Sequence, residues 1–354
     1  MTNQFKIAVV QACPVFLDRD ATIAKACRLI SEAAATGARL VVFPEAFVPG
    51  YPLWAWFIPA GHTQPLRELY AELVANAVAV PSDATGQLCE AAREAGVVVA
   101  IGINEVNSEA SGTTLYNTLL YLGADGAILG KHRKVMPTGG ERLIWALGDG
   151  SDLEVYDLPF GRLGGLLCWE NYMPLARYAM SAWGAEVFVA PTWDRGEPWL
   201  STMRHVAKEG RCYVMGCCSP MRVDDIPDRL LFKERYLAGV EGWLNPGDSV
   251  IVDPDGKLIA GPASREETIL YAEVDRRKIT GPRWQLDIGG HYARPDIFEL
   301  IVHRTPKRLL SIAAEGAEKE RGTVQAETRG QSVQGADGAP IRSSDQGDSG
   351  GKRG

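Results

Sequence analysis

The chain has 354 residues, of which 46% are hydrophobic and 23% are charged, and its formal net charge at pH 7 is −7. A chain of this length can bury one large core or two ordinary ones, and the composition is typical of a globular protein. The acidic balance and the scattered basic residues give no reason to expect nucleic acid or an anionic membrane surface as a partner.

Short apolar runs alternate with amphipathic segments along most of the chain. The runs predict strands that are mostly buried on both faces, at residues 6–11, 39–45, 97–103, 118–122, 162–168, 186–192, 213–218, 249–254 and 268–274. The amphipathic segments predict helices, each followed by a glycine, at residues 20–36, 84–95, 174–183 and 198–209. This alternation predicts a layered α/β fold.

Two segments depart from this pattern. Residues 46–66 carry no charged side chain and have the length of a membrane span, but four prolines interrupt them, so we predict an aromatic-rich loop. Residues 313–354 contain no aromatic residue and almost no large aliphatic one. Such a segment cannot bury enough apolar surface to offset the entropy of ordering, so we predict a disordered C-terminal tail.

The cysteines indicate a reducing environment. There are seven, an odd number, and no repeated spacing suggests a zinc site or a disulfide framework. The N-terminal segment "MTNQFKIAVVQ" lacks the architecture of a signal peptide. We therefore expect a cytoplasmic protein with free thiols.

Three polar residues lie at or near the ends of predicted strands. Glu45 ends one strand, Cys168 ends another, and Lys134 follows a hairpin-like segment. Sites in layered α/β proteins form where strands end and loops converge. A carboxylate, an ammonium and a thiol brought together there would make a nucleophile, because the ammonium lowers the thiol pKa and the carboxylate accepts its proton.

Each of these residues also has an ordinary structural interpretation. An unpaired cysteine usually packs in a core. Glu45 could cap a helix or form an ion pair, and Lys134 could be a solvated turn residue. The residue types alone therefore leave the assignment of a catalytic site open.

Five longer segments decide between these interpretations. In chain order they are "FPEAFVPGYP" (43–52), "GKHRKVMPTGGERLIW" (130–145), "CWENYMPL" (168–175), "MRHVAKEGRCYV" (203–214) and "GGHYARPDIF" (289–298). Together they closely resemble the nitrilase family, the nitrile-hydrolysing branch of the carbon–nitrogen hydrolase superfamily. The resemblance implies a four-layer α-β-β-α sandwich over residues 1–312. It also implies a homo-oligomer, built from dimers whose sheets extend across the interface and able to grow into spirals.

The resemblance also implies roles for individual residues. Cys168 is similar to the family's nucleophile, Glu45 to its general base and acid, and Lys134 to its electrostatic stabiliser. Glu141 matches a second glutamate that helps to hold this constellation. The backbone N–H of Trp169 is expected to join Lys134 in stabilising the negative adduct, a contribution that is typically about 3–4 kcal/mol.

Further residues are expected around this set. Tyr51 and Trp193 are predicted, with Trp169, to line an apolar pocket for the substrate. His132 and His291 are predicted to support the fold, because glutamate can carry out the proton transfers.

The expected reaction converts a small-molecule nitrile to a carboxylic acid and ammonia through a thioimidate and an acyl thioester, and it requires neither a metal nor an organic cofactor. One alternative is an amidase or N-carbamoyl amide hydrolase, which uses the same Glu–Lys–Cys set. "CWEN" together with "HYARPDIF" favours the nitrilase branch. A second alternative is a non-catalytic redox-thiol protein, but Cys168 has no resolving cysteine nearby in sequence.

Overall fold

Two six-stranded sheets form the centre of the molecule. The computed structural model describes residues 4–307. In chain order, the first sheet contains β1 (Gln4–Gln11), β2 (Ala38–Val42), β3 (Val98–Val106), β4 (Leu115–Leu122), β5 (Ile128–Arg133) and β14 (Thr268–Asp275). The second contains β6 (Tyr156–Leu158), β7 (Gly161–Gly165), β8 (Val187–Thr192), β9 (Tyr213–Cys218), β12 (Gly247–Val252) and β13 (Leu258–Ser264). A small ribbon pairs β10 (Met221–Arg222) with β11 (Trp243–Asn245).

The sheets share a pattern of three parallel strands flanked by antiparallel ones. The first sheet has the order β14-β1-β2-β3-β4-β5, in which β1, β2 and β3 are parallel. The second has the order β13-β12-β9-β8-β7-β6, in which β7, β8 and β9 are parallel. Strands β2 and β3 are parallel, and β4 is antiparallel to both β3 and β5. Strands β2 and β5 therefore run in the same direction, and their C-terminal ends lie on the same side of the sheet.

Helices cover the outer face of each sheet. In chain order the helices of the described residues are α1 (Arg19–Ala35), α2 (Trp54–Phe57), α3 (Thr63–Ala75), α4 (Asp83–Ala95), α5 (Pro174–Ala182), α6 (Gly196–Gly210), α7 (Leu231–Tyr236) and α8 (Arg277–Arg283). Helices α1 and α4 pack on the first sheet, and α5 and α6 pack on the second. The predicted α-β-β-α sandwich is therefore confirmed.

Strand β1 shows how the sequence produces these layers. Its residues alternate between two cores: Ala8 and Val10 pack under α1, whereas Ile7 and Val9 face the second sheet. A strand points successive side chains to opposite faces, so a strand between two cores must be apolar at every position. Full burial of each large aliphatic side chain contributes about 1.5–3 kcal/mol.

Several predicted boundaries were wrong. The strands predicted to reach Glu45 and Cys168 end earlier, at Val42 and Gly165, so both residues lie in the loops that follow. Strand β14 is only partly buried, although burial on both faces was predicted.

The prediction of a loop at residues 46–66 was also only partly correct. This segment contains the single turn of α2 and the start of α3. Pro65 did not prevent α3 because it occupies the first turn, where its missing N–H has no helical partner to lose.

Two further points concern the limits of the chain. No helix among residues 4–307 is long and apolar enough to cross a membrane. The predicted tail at 313–354, and residues 308–312 of the predicted domain, lie outside the described residues.

Candidate active site

Glu45 lies in a loop that crosses directly over strand β3. Its backbone neighbours hydrogen-bond to that strand, with Val48 N donating to Gly102 O at 3.1 Å. A Cβ atom on Gly102 would collide with the backbone of Pro44 and Ala46. The glycine therefore permits the close approach that buries Glu45, whose relative exposure is 1%.

Lys134 immediately follows β5 and is completely buried. Its backbone N–H donates to Asn117 O on β4, at 2.8 Å, which continues the ladder one residue beyond the strand. Its Nζ donates to Glu45 Oε1 at 2.7 Å and to Glu141 Oε2 at 2.8 Å. Burial alone would lower the pKa of Lys134, but the neighbouring Glu45, Cys168 and Glu141 raise it well above its ordinary value. The ammonium therefore stays charged throughout the working pH range.

Glu141 uses both carboxylate oxygens to hold its neighbours. Oε2 accepts from Thr138 N at 2.6 Å as well as from Lys134, and Oε1 accepts from the hydroxyl of Tyr51 at 2.6 Å. The Tyr51 hydroxyl in turn accepts from Trp56 Nε1 at 2.9 Å. Both oxygens of this glutamate accept hydrogen bonds, so it holds the Lys134 ammonium and the Tyr51 hydroxyl in place.

The two oxygens of Glu45 differ in their surroundings. Oε1 accepts from Lys134 Nζ and from Asn117 Nδ2, the latter at 2.7 Å. Oε2 is buried and has no hydrogen-bond partner among the described residues. Burial raises the pKa of Glu45, and the nearby Glu141 adds to this, against the opposing effect of Lys134. A buried carboxylate oxygen that accepts no hydrogen bond has no structural role and is available to accept a proton.

Cys168 opens a single 3₁₀ turn, Cys168–Tyr172, after the end of β7. Its φ angle of +50° lies in the left-handed region. A non-glycine residue there costs about 1–3 kcal/mol, and such strain clusters at functional sites. The Sγ atom accepts a hydrogen bond from Thr192 Oγ1 at 3.3 Å. The turn thus presents the sulfur at the end of the sheet, next to the tip of β8.

Lys134 lowers the pKa of the Cys168 thiol, as expected, but the net shift is upward. Burial raises the pKa of Cys168 well above its ordinary value, and the negative Glu45 raises it further. Lys134 and the hydroxyl of Thr192 act in the opposite direction without overcoming these effects. The thiol is therefore protonated at rest and loses its proton as it attacks.

A cavity of about 300 Å³ opens onto Cys168. Glu141 also lines it, as do the three predicted substrate-binding residues Tyr51, Trp169 and Trp193. The rings of Tyr51 and Trp193 are stacked with their centroids 4.6 Å apart. The Trp169 side chain is half exposed. The aromatic walls and the few polar groups at the sulfur end suit a small, mainly apolar ligand.

Sequence reasoning missed several residues that touch the site. Asn117 binds Glu45, Thr192 binds Cys168, and Asp194 Oδ2 accepts from the indole of Trp169 at 2.8 Å. A polar residue inside a buried strand, as at 117 and 192, was the available indication. Asp194 lies in the loop after β8 and offered no such indication.

The predicted supporting histidines occupy different places. His132 is buried, and its Nε2 lies 2.8 Å from Glu170 Oε2. His291 is exposed beside Tyr292. Within residues 4–307, no group of three or more histidine, cysteine or acidic side chains is arranged to hold a metal ion.

Known families and proteins resemble this chain over most of its length. The family profile described as carbon–nitrogen hydrolase matches residues 6–283. The chain belongs to the carbon–nitrogen hydrolase family. An aliphatic nitrilase of Sinorhizobium fredii (strain HH103) is 47% identical over 307 residues, which cover 86% of this chain and 97% of that protein. A bifunctional nitrilase/nitrile hydratase of Nicotiana tabacum is 41% identical over 309 residues, covering 85% of this chain and 86% of that protein. The predicted nitrilase family is thus confirmed.

Solved structures of other carbon–nitrogen hydrolases share the fold. Saccharomyces cerevisiae Nit3, described as a member of branch 10 of the nitrilase superfamily, has a TM-score of 0.65 at 23% identity, covering 83% of this chain and 97% of that one. An amidase from Nesterenkonia sp. has a TM-score of 0.59 at 18% identity, covering 80% of this chain and 96% of that one. At such identities the similarity concerns the sandwich and not the substrate.

Proposed function

We propose that this carbon–nitrogen hydrolase is a nitrilase that converts a nitrile to a carboxylic acid and ammonia. The observation that carries the thiol chemistry, which an amidase would share, is the free Oε2 of Glu45, buried in the same constellation as the charged Lys134 and the thiol of Cys168. The names of the relatives, an aliphatic nitrilase and a bifunctional nitrilase/nitrile hydratase, support nitriles as the substrate class.

The first half of the reaction adds the thiol across the C≡N bond. Glu45 takes the proton of Cys168 as sulfur bonds to the nitrile carbon, and then passes it to the nitrile nitrogen. The product is a neutral thioimidate. Lys134 and the backbone N–H of Trp169 stabilise the negative charge that develops on nitrogen. A thiol with a raised pKa suits this concerted transfer, because the thiolate exists only while it attacks.

The second half consumes two water molecules. Glu45 removes a proton from the first water as it adds to the thioimidate carbon and passes that proton to the nitrogen. It then transfers the hydroxyl proton of the tetrahedral intermediate to the same nitrogen, which leaves as ammonia as the C=O bond forms. The acyl thioester left on Cys168 is hydrolysed by a second water, which releases the carboxylic acid and restores the thiol. If the tetrahedral intermediate expels the thiolate of Cys168 instead, the product is an amide, so some amide by-product is expected.

The test is ammonia release by purified Cys168→Ala and Cys217→Ala variants. Cys217 is the matched control, because it is equally buried but its Sγ donates to the Val10 carbonyl at 3.3 Å. The first variant should fold and lose turnover, and the second should keep it. Nitrile hydrolysis by Cys168→Ala would refute the assignment. A panel of nitriles and their matching amides separates a nitrilase from an amidase, since only the former prefers the nitrile.

Assembly and location are further parts of the proposal. We propose a homo-oligomer built from dimers, supported by large apolar side chains that a monomer leaves in water, among them Leu175, Trp284 and Phe298 at 66%, 82% and 72% exposure. A cytoplasmic location is supported by the seven cysteines, all of them unpaired. Light scattering coupled to size exclusion and cell fractionation test these two points.

A further inference from the structure

One buried carboxylate, that of Glu170, lies between the two segments that carry Lys134 and Cys168. Its Oε1 accepts a hydrogen bond from the backbone N–H of Val135 at 2.6 Å. Its Oε2 accepts from the backbone N–H of Leu167 at 2.8 Å. Val135 directly follows the lysine, and Leu167 directly precedes the cysteine. A single side chain therefore ties together the backbones on which both groups depend.

A third bond keeps this carboxylate charged and oriented. His132 Nε2, on β5, lies 2.8 Å from Glu170 Oε2, and both side chains are buried. Burial alone would raise the pKa of Glu170, but His132 and the two backbone N–H groups hold it below its ordinary value. Burial would lower the pKa of His132, which Glu170 and the nearby Asp152 instead raise. The carboxylate therefore acts as an acceptor on both oxygens.

The turn that Glu170 holds needs such support. Cys168 has a positive φ, which a non-glycine residue adopts only when its surroundings impose it. Asn171 supplies part of the restraint, because its Nδ2 donates to Leu166 O at 3.1 Å and to Cys168 O at 2.8 Å. These bonds stay within the turn and the two residues before it. Among the described residues, only the hydrogen bonds of Glu170 connect this region to the segment after β5.

We propose that Glu170 is a positioning residue that fixes the placement of the Cys168 thiol relative to the Lys134 ammonium. Both of its oxygens are engaged by His132 and by the backbone N–H groups of Val135 and Leu167, so it acts through the two backbones. This inference rests on the proposed function, because it assigns to Glu170 the alignment that thiol addition requires. Misplacement of a reacting group by about 1 Å can reduce a rate by about 10²-fold.

Replacing Glu170 by glutamine distinguishes a role in aligning the two backbones from a role in packing. Glutamine matches glutamate in shape, but one of its two terminal atoms is an NH₂ donor. Whichever way the amide turns, this donor faces the N–H of either Val135 or Leu167, so one tether is lost. Aspartate is shorter yet keeps two acceptor oxygens and the charge. Positioning by hydrogen bonds therefore predicts that Glu170→Asp retains more activity than Glu170→Gln, whereas packing alone predicts the reverse.

The experiment measures kcat, KM and thermal unfolding of the full chain with each variant. For Glu170→Gln we expect kcat to fall by about 10²-fold with little change in KM, because the pocket walls are untouched. The matched control is Glu105→Gln, which neutralises another buried glutamate, one bonded only to side chains. The control should lower the unfolding temperature and keep kcat. Equal kcat for wild type and Glu170→Gln, or a Gln variant better than the Asp variant, would overturn the proposal.

A second readout does not depend on nitrile turnover. The rate of Cys168 alkylation by iodoacetamide is measured against pH and located by mass spectrometry. The charged groups that act on the sulfur are Glu45, Lys134 and Glu141. The hydroxyls of Tyr51 and Tyr172 and the thiol of Cys218 also interact with it, and Thr192 donates to it. In the wild type, Glu45 acting as the base should support alkylation at neutral pH. In Glu170→Gln, alkylation should be slow at neutral pH and should rise only above the ordinary thiol pKa of about 8.5, because burial and Glu45 still raise the pKa of Cys168. Superimposable profiles would contradict the role of Glu170, even if the substrate proved not to be a nitrile.

Discussion

Two clusters of acidic and basic side chains lie near the end of the same strand, β5, and their ratios of carboxylates to cations are opposite. At the first, two carboxylates, Glu45 and Glu141, share one cation, Lys134. At the second, one carboxylate, Glu105, receives two cations: Lys131 Nζ at 2.6 Å and the guanidinium of Arg133, also at 2.6 Å.

This difference in proportion decides what each cluster can do. Both oxygens of Glu105 are bonded, since Thr118 and Arg133 donate to Oε2, and its pKa is lowered because the two cations outweigh burial. Glu45 has one free oxygen and a raised pKa. A carboxylate whose two oxygens both accept hydrogen bonds from cations stays ionised and holds strands together. A carboxylate with one oxygen that accepts no hydrogen bond can exchange a proton. The number of hydrogen-bond donors around each carboxylate thus distinguishes a structural glutamate from a catalytic one.

We expect the largest effects when the glutamate of each cluster, Glu45 or Glu105, is replaced by glutamine. Glu45→Gln removes the proton acceptor, so we expect kcat to fall by about 10²–10⁴-fold, the usual contribution of general acid–base catalysis. Glu105→Gln should leave kcat unchanged and reduce the free energy of unfolding by about 3 kcal/mol, because Lys131 and Arg133 lose their partner. Ammonia release and denaturant unfolding of both variants provide the measurements.

The result is informative in either direction. A Glu105→Gln variant that loses turnover while remaining folded would show that the cluster of Glu105 takes part in the chemistry. A Glu45→Gln variant with normal kcat would remove Glu45 from the mechanism. Glu45→Asp adds a check on geometry, because it keeps the charge and shortens the reach.

The sequence predicted the members of the catalytic cluster but not this contrast. Glu45, Lys134 and Cys168 could be selected because the surrounding segments resemble a known family. Nothing in the sequence separates Glu105 from Glu45 as buried carboxylates, since their difference lies in donors supplied by β4 and β5. Hydrogen bonds between distant segments depend on sheet register, which local patterns do not encode.

The secondary structure was also predicted only in part from the sequence. Apolar runs predicted the buried strands because burial on two faces requires them. Strand β5, "ILGKHR", was missed because it lies at the edge of the sheet and is only partly buried. The net rise in the pKa of Cys168 could not be foreseen for a related reason: the sequence indicates that Lys134 lowers this pKa, but not that burial and Glu45 outweigh that effect. Positions set by tertiary packing therefore needed the structure.

A medium effect should follow from removing one donor from Glu45. Asn117 Nδ2 stabilises the ionised carboxylate, and its own Oδ1 is buried without a partner, so Asn117→Leu should cost little stability. Activity requires ionised Glu45 and is lost as the pH falls through its pKa. Loss of a hydrogen bond to a charged group, about 1.5 kcal/mol or more, should raise that pKa by about one unit. The acid limb of kcat/KM should therefore move upward by about one pH unit.

The smallest effect concerns the next residue along the same strand. Because successive side chains of a strand point to opposite faces, Thr118 donates to Glu105, at 2.8 Å, while Asn117 donates to Glu45. Thr118→Val removes a donor from a carboxylate that still has two cations. We expect a loss of about 1–2 kcal/mol in unfolding free energy, with an acid limb of kcat/KM superimposable on that of the wild type. A shifted limb in Thr118→Val would mean that the two clusters titrate together, and that the donor count around one glutamate does not set its proton affinity independently of the other.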